Sequence, residues 1–292
     1  MIQDIHGVGV ALVTPFDRSG NVDYQALGRV VDHVIEGGVD YLVALGTTAE
    51  ASTLTMEEKK SVLAFIKERN GGRRPLVAGC GGYDTAQILR CVGELDLSGV
   101  AALLSVTPYY NKPSQEGLYQ HYRRIAQESP IPVLLYNVPS RTGVNMTAET
   151  TLRLAHEVGN ILGIKEACGT VSQMAQILCG RPAHFKVISG DDLMALSLAV
   201  MGGDGVISVA ANAFPDVVCA MMTAAAKGDN AVAAGAFREL FCTLELLFCE
   251  GNPTGIKAAL ALRGLVENHL RLPLVPATEE LMERLGGVMK QL

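Results

Sequence analysis

The chain has 292 residues, 49% of them hydrophobic and only 18% charged, with a formal net charge of −6. A charged share below the usual quarter suggests much covered surface, and the length suits one α/β barrel domain. The acidic balance, with basic pairs only at Arg73-Arg74 and Arg123-Arg124, argues against a nucleic-acid partner, and no apolar run reaches the roughly 18 residues of a membrane helix.

In chain order, short apolar, β-branched runs alternate with longer helical patterns. Strands are predicted at Val8–Val13, Tyr41–Leu45, Leu76–Ala78, Ala101–Val106, Val133–Tyr136, Ile161–Lys165, Phe185–Ile188 and Gly205–Val209. Several are apolar throughout, the mark of strands buried on both faces of a parallel sheet. Between them, Asp23–Glu36 reads as a helix stopped at Gly37-Gly38. Thr55-Met56-Glu57-Glu58 is a capping box opening a helix to about Arg69. Asp84, Ser114, Thr147, Ser172 and Asp191 are candidate N-caps, and Pro215 suits a first helical turn. The eight strand–helix units favour a closed (β/α)8 TIM barrel over an open sheet. The expected division is a barrel over residues 1–228 and a helical extension packed on it over residues 229–292. The extension carries helices Ala231–Phe248, Thr254–Val266 and Thr278–Lys290.

The seven cysteines form no C-x-x-C pair and the six histidines no H-E-x-x-H spacing, so no metal site is expected. Residues Met1 to His6 lack the basic and apolar regions of a signal peptide. Reduced thiols and a cytoplasmic location follow as expectations.

Barrel chemistry sits on the loops after the strands. There the sequence places Gly46-Thr47-Thr48-Ala49-Glu50, Thr107-Pro108-Tyr109-Tyr110, Tyr136-Asn137-Val138-Pro139-Ser140-Arg141-Thr142-Gly143, Gly163-Ile164-Lys165-Glu166 and Ser189-Gly190-Asp191-Asp192. Lys165 is the one lysine that ends an apolar strand run. Burial at the barrel mouth would disfavour its ammonium and free the amine to attack a carbonyl. The alternative is a lysine reaching to the rim or paired with a carboxylate. Tyr136 ends the preceding strand, so its hydroxyl could move protons beside that amine, or its ring could plug the barrel mouth. Thr47 and Thr48 offer hydroxyls and backbone N–H groups for a carboxylate, but Gly-Thr-Thr is also an ordinary turn. Arg141 could clamp a carboxylate or pair at the surface. His121, His156 and Asp191-Asp192 read as structural.

Together these loops, with Asn252-Pro253 before Lys257, resemble the dihydrodipicolinate synthase (4-hydroxy-tetrahydrodipicolinate synthase) family, within the N-acetylneuraminate lyase superfamily of class I aldolases. The resemblance spans nearly the whole chain. It implies a lyase in which Lys165 forms a Schiff base with pyruvate and no cofactor takes part. Tyr136, Thr48 and Tyr110 would form a proton relay, with Tyr110 reaching into a neighbouring subunit's site. Thr47 and Thr48 would hold the pyruvate carboxylate, Arg141 the carboxylate of L-aspartate-4-semialdehyde, and Gly190 and Ile207 would line the pocket. The product would serve lysine and diaminopimelate synthesis. A homo-oligomer follows, of which the family is often a dimer of dimers. A sister pyruvate-dependent aldolase, acting on a sugar acid or of the 4-hydroxy-2-oxoglutarate type, shares Lys165 and Tyr136. Arg141 favours a second acidic substrate. The chain departs from the family at Ala49, Ala51 and Thr254-Gly255-Ile256. A lysine-feedback site would fall on Ala51, Ser52, Tyr83, Gln87 and Tyr109, near Met56 and Lys59. Its pattern is incomplete, so weak or absent inhibition is expected.

Overall fold

A computed structural model describes residues 5–290. Most of the N-terminal stretch read as lacking a signal peptide lies outside the described residues. The eight strands are β1 Gly7–Ala11, β2 Tyr41–Ala44, β3 Leu76–Gly79, β4 Ala102–Val106, β5 Val133–Asn137, β6 Ile161–Glu166, β7 Lys186–Ser189 and β8 Gly205–Ser208. All neighbours pair in parallel, and β8 closes on β1 through Gly7↔Gly205 to Val10↔Ser208. The (β/α)8 barrel expected from the alternation is the observed fold.

Strand alternation divides the side chains between two layers. One set fills the barrel: Ala11, Tyr41, Val43, Val77, Ala102, Leu104, Leu134, Tyr136, Ile188 and Ile207. The other, including Val10, Leu42, Leu103, Leu135, Ile164 and Val187, packs outward against the helices. The barrel accommodates the ring of Tyr41 because Gly9 faces it, and a Cβ on Gly9 would lie 2.2 Å from that ring.

The pairing of β5 with β6 is irregular. Val133 faces Ile161 but Leu134 faces Gly163, so Leu162 is an extra residue. Unbroken alternation from the inward Leu162 would turn Lys165 toward the helices. The extra residue restores Lys165 to the inner side, opposite Tyr136. Gly163 permits it, since a Cβ there would sit 2.2 Å from the Lys186 carbonyl oxygen.

The caps follow the sequence closely. Thr55 and Glu58 complete their capping box at the head of the helix Met56–Asn70, and Asp23, Asp84, Ser114, Thr147 and Asp191 each accept a first-turn N–H. Ser172 does not cap. Gly169, at φ 71°, turns the chain early, so the helix Val171–Gly180 has Thr170 at its cap position and Ser172 inside the first turn. The helix expected over Thr254–Val266 ends at Leu262, where Arg263 and the left-handed Gly264 terminate it. Helices Asn230–Cys249 and Glu279–Met289 stand close to the expected Ala231–Phe248 and Thr278–Lys290. Within the departure at Thr254-Gly255-Ile256, the glycine has a packing role. A Cβ on Gly255 would lie 2.2 Å from the Leu247 carbonyl, so glycine lets the two helices meet backbone to backbone.

Candidate active site

At the mouth of the barrel, Lys165 is 5% exposed and its Nζ lies 4.3 Å from the centroid of the Tyr136 ring. The cross-strand register Tyr136↔Lys165 sets this contact. Among the described residues no carboxylate pairs with Lys165, so the ion-pair alternative is not what the amine does. Gly190, on the loop after β7, makes room for the lysine stem: a Cβ there would lie 2.9 Å from Lys165 Cε and 3.0 Å from its Cγ. Ile207 is buried in the apolar barrel interior shared with Tyr136.

Behind this pair, on the helix side of the strands, Asn137↔Glu166 is the next register step. The Glu166 carboxylate accepts from Asn137 Nδ2 at 3.0 Å, Gln173 Nε2 at 3.1 Å and the Cys168 N–H at 2.8 Å. Burial pushes its pKa up, and those hydrogen bonds work against the rise. These bonds tie the ends of β5 and β6 together one residue beyond Tyr136 and Lys165.

The loop after β2 is under conformational strain. Leu45 has φ 57° and Glu50 φ 52°, both left-handed, and between them Thr47–Ala49 forms a single 3-10 turn. Thr48 is buried and Thr47 exposed. The turn is held by residues far along the chain, Asn252, Lys257 and Arg271. Asn252 Nδ2 donates to Thr48 Oγ1 at 3.0 Å. The buried Lys257 ammonium pairs with Glu50 at 2.5 Å, and the Arg271 N–H donates to the same carboxylate at 3.1 Å. Burial lowers Lys257 to about 8, with Glu50 opposing the shift. Breaking such a buried pair leaves an uncompensated charge and costs about 3–5 kcal/mol.

Arg141 lies on the short turn Pro139–Thr142, exposed, and Nη2 donates to the Asn252 carbonyl at 3.3 Å. Tyr110 points outward, 84% exposed, at a left-handed φ of 70°. Of the five positions matched to a feedback site, Tyr83 and Tyr109 are brought together edge to face, with ring centroids 5.4 Å apart. Ala51 and Ser52 lie in the next 3-10 turn, and Gln87 is exposed on the helix Thr85–Glu94.

Lys165, Tyr136, Gly190 and Ile207 thus converge on the barrel mouth. Thr48 and Arg141 join through Asn252, a residue that the sequence offered only as half of an Asn-Pro step. Its bonds to Thr48 and Arg141 span 204 and 111 residues, so no local pattern could signal them. Asp192, read as structural, is fully buried and accepts from Ser208 Oγ and from the N–H groups of Val209 and Ala210. Among the described residues no group of three or more His, Cys, Asp or Glu is placed to hold a metal ion. No described helix is long and apolar enough to cross a membrane.

A model of the dihydrodipicolinate synthetase family matches residues 4–292. The 4-hydroxy-tetrahydrodipicolinate synthase of Parabacteroides distasonis is 50% identical over 292 residues, covering 99% of this chain and 97% of that one. Among solved structures, a dihydrodipicolinate synthase from Acinetobacter baumannii, complexed with pyruvate, is 41% identical with a TM-score of 0.95. It is covered to 99% on both sides. A monomeric dihydrodipicolinate synthase variant is 40% identical, with a TM-score of 0.95 over 98% of this chain and 96% of that one. On this agreement along its length, the chain belongs to the dihydrodipicolinate synthetase family.

Proposed function

We propose that the chain is a lyase of the 4-hydroxy-tetrahydrodipicolinate synthase type, condensing pyruvate with L-aspartate-4-semialdehyde in lysine and diaminopimelate biosynthesis. The observation that carries this reading is the buried, carboxylate-free Lys165 amine over the Tyr136 ring. Lys165 Nζ attacks C2 of pyruvate, and loss of water leaves a protonated imine. That imine is the electron sink, so the reading needs no cofactor. Loss of a C3 proton gives the enamine, whose C3 attacks the aldehyde carbon of the second substrate. The amino group of that substrate then attacks the imine carbon, closing the ring and expelling Lys165.

Tyr136, Thr48 and Tyr110 serve as the proton relay in this reading, because each of these steps moves a proton on or off oxygen or nitrogen. Thr47 and Thr48 hold the pyruvate carboxylate, Arg141 holds that of the semialdehyde, and Gly190 and Ile207 line the pocket. Tyr110, exposed on a strained backbone, reaches a neighbouring subunit. The working form is then a homo-oligomer, with a dimer of dimers as its expected form. Residues 229–292 act as an extension of the barrel of residues 1–228. A cytoplasmic location belongs to the same reading. Tyr83, Tyr109, Gln87, Ala51 and Ser52 form a weak lysine site or none.

Borohydride reduction in the presence of pyruvate should add one pyruvate-derived mass to Lys165, and Lys165→Ala should abolish it. A Lys165→Ala protein that still traps pyruvate sinks the nucleophile assignment. Arg141→Ala should leave trapping intact while turnover with aspartate semialdehyde collapses. Unchanged turnover would favour a sister aldolase acting on another aldehyde.

A further inference from the structure

We infer that Asn252 is a positioning residue for this site: its side-chain amide sets the polarity of the Thr48 hydroxyl. The inference rests on the proposed condensation and adds a residue that no loop after a barrel strand supplies.

Asn252 follows the long helix Asn230–Cys249 and precedes Thr254–Leu262, in the C-terminal extension. It is 8% exposed, and its Nδ2 donates to the Oγ1 of Thr48, itself 2% exposed, at 3.0 Å. A hydroxyl has one proton to give and an oxygen that accepts. Because Asn252 donates into that oxygen, the Thr48 proton is reserved for a different acceptor. A hydroxyl that accepts one hydrogen bond also becomes a better donor in the next. A carboxylate is an acceptor only, so a threonine held this way suits the carboxylate of a 2-oxo acid. In the relay it would act as the donor toward a tyrosine oxygen.

Two further observations set Asn252 apart from a packing residue. Its Oδ1 is buried without a hydrogen-bond partner. Buried orphans are rare, and an apolar side chain would fill the space without one. Its main-chain carbonyl also accepts from Arg141 Nη2 at 3.3 Å. One residue therefore joins the pyruvate-binding turn to the arginine assigned to the second substrate. The two arms are separable, because every substitution at 252 keeps the carbonyl and alters only the arm to Thr48.

The test uses Asn252→Asp, Asn252→Ala, Thr48→Val and the double variant Asn252→Ala/Thr48→Val. Steady-state kinetics with both substrates are measured alongside thermal unfolding. Aspartate can only accept, so it should capture the Thr48 proton. We expect kcat/KM for pyruvate to fall about 100-fold in Asn252→Asp and about tenfold in Asn252→Ala. The KM for aspartate semialdehyde should stay within about twofold, because the carbonyl held by Arg141 is unchanged. In the Thr48→Val background, Asn252→Ala should cost little more, since the two residues act as one unit. A folded Asn252→Asp enzyme with wild-type pyruvate kinetics overturns the inference. So does an Asn252→Ala loss that persists in full without the Thr48 hydroxyl, and this cycle decides the matter if the aspartate variant does not fold. Failure of the wild type to trap pyruvate on Lys165 would instead refute the proposed reaction.

Discussion

Replacing Gly190 by alanine should separate chemistry from stability. The new methyl would stand 2.9 Å from Lys165 Cε, 3.0 Å from its Cγ and 2.9 Å from Ala167 Cβ. Relaxed carbon contacts lie near 3.5–4.0 Å, so each is short by roughly 0.5–1 Å. The lysine stem can yield by leaving its rotamer, at a cost of about 0.5–1.5 kcal/mol. Gly190 is not among the positive-φ glycines, so its backbone accepts alanine. The less flexible unfolded chain then returns about 0.4–1 kcal/mol. Ala167 Cβ has no rotamer to leave, so a small shift of the loop after β6 adds about 1 kcal/mol, and Tm should fall by a few degrees. The amine, however, must move with its stem. A misplacement of about 1 Å at a reacting atom costs on the order of 100-fold in rate. Time-resolved borohydride trapping with pyruvate, read by mass spectrometry, measures imine formation directly. Trapping at the wild-type rate in a folded Gly190→Ala protein would refute the packing argument. A drop in Tm beyond about 10 °C would also refute it, by showing that the strain falls on the backbone instead.

Gly163→Ala should behave oppositely. Its Cβ would strike the Lys186 carbonyl oxygen at 2.2 Å, a backbone atom that no rotamer change removes. A loss of about 3 kcal/mol or more in urea unfolding is expected, and a variant as stable as wild type would show that the β6–β7 approach is looser than described. His121 predicts a pH effect. Burial pushes its pKa down from 6.5 to about 4, while Nδ1 meets Thr85 Oγ1 at 2.8 Å. Between those values the unfolded chain binds the proton that the folded chain refuses, so stability should fall as pH drops from 6.5 to 4 and this contribution should level off below. His121→Gln should flatten that part of the stability–pH curve, and an unaltered slope would assign it to other groups.

Much of the architecture was legible along the chain because its signals are local. Apolar runs at Tyr41–Ala44 or Val133–Asn137 can be strands in any context that buries both faces. The caps at Asp23, Thr55, Ser114 and Thr147 work within one turn of their helices. Ser172 failed because a glycine two residues before the helix moved its start, a turn geometry that cap chemistry does not encode. The candidate site was legible to the same degree. Lys165, Tyr136, Thr48 and Arg141 stand at strand ends or on the loops after them, where a barrel gathers its chemistry.

Lys165 shows where local reading stops. Its apolar run marks a strand ending in an amine, but an unbroken alternation would aim that amine at the helices. The extra residue at Leu162, permitted by Gly163 against Lys186, turns it inward beside Tyr136. Asn252 and Lys257 likewise reach Thr48 and Glu50 across more than 200 residues of sequence. The sequence by itself determined the strands, the helices and the kinds of residue carried to the barrel mouth, since propensity and capping act over a few residues. Only the tertiary structure decided which way those side chains point and what holds them. Register, glycine-sized clearances and buried hydrogen bonds exist only once distant segments have packed.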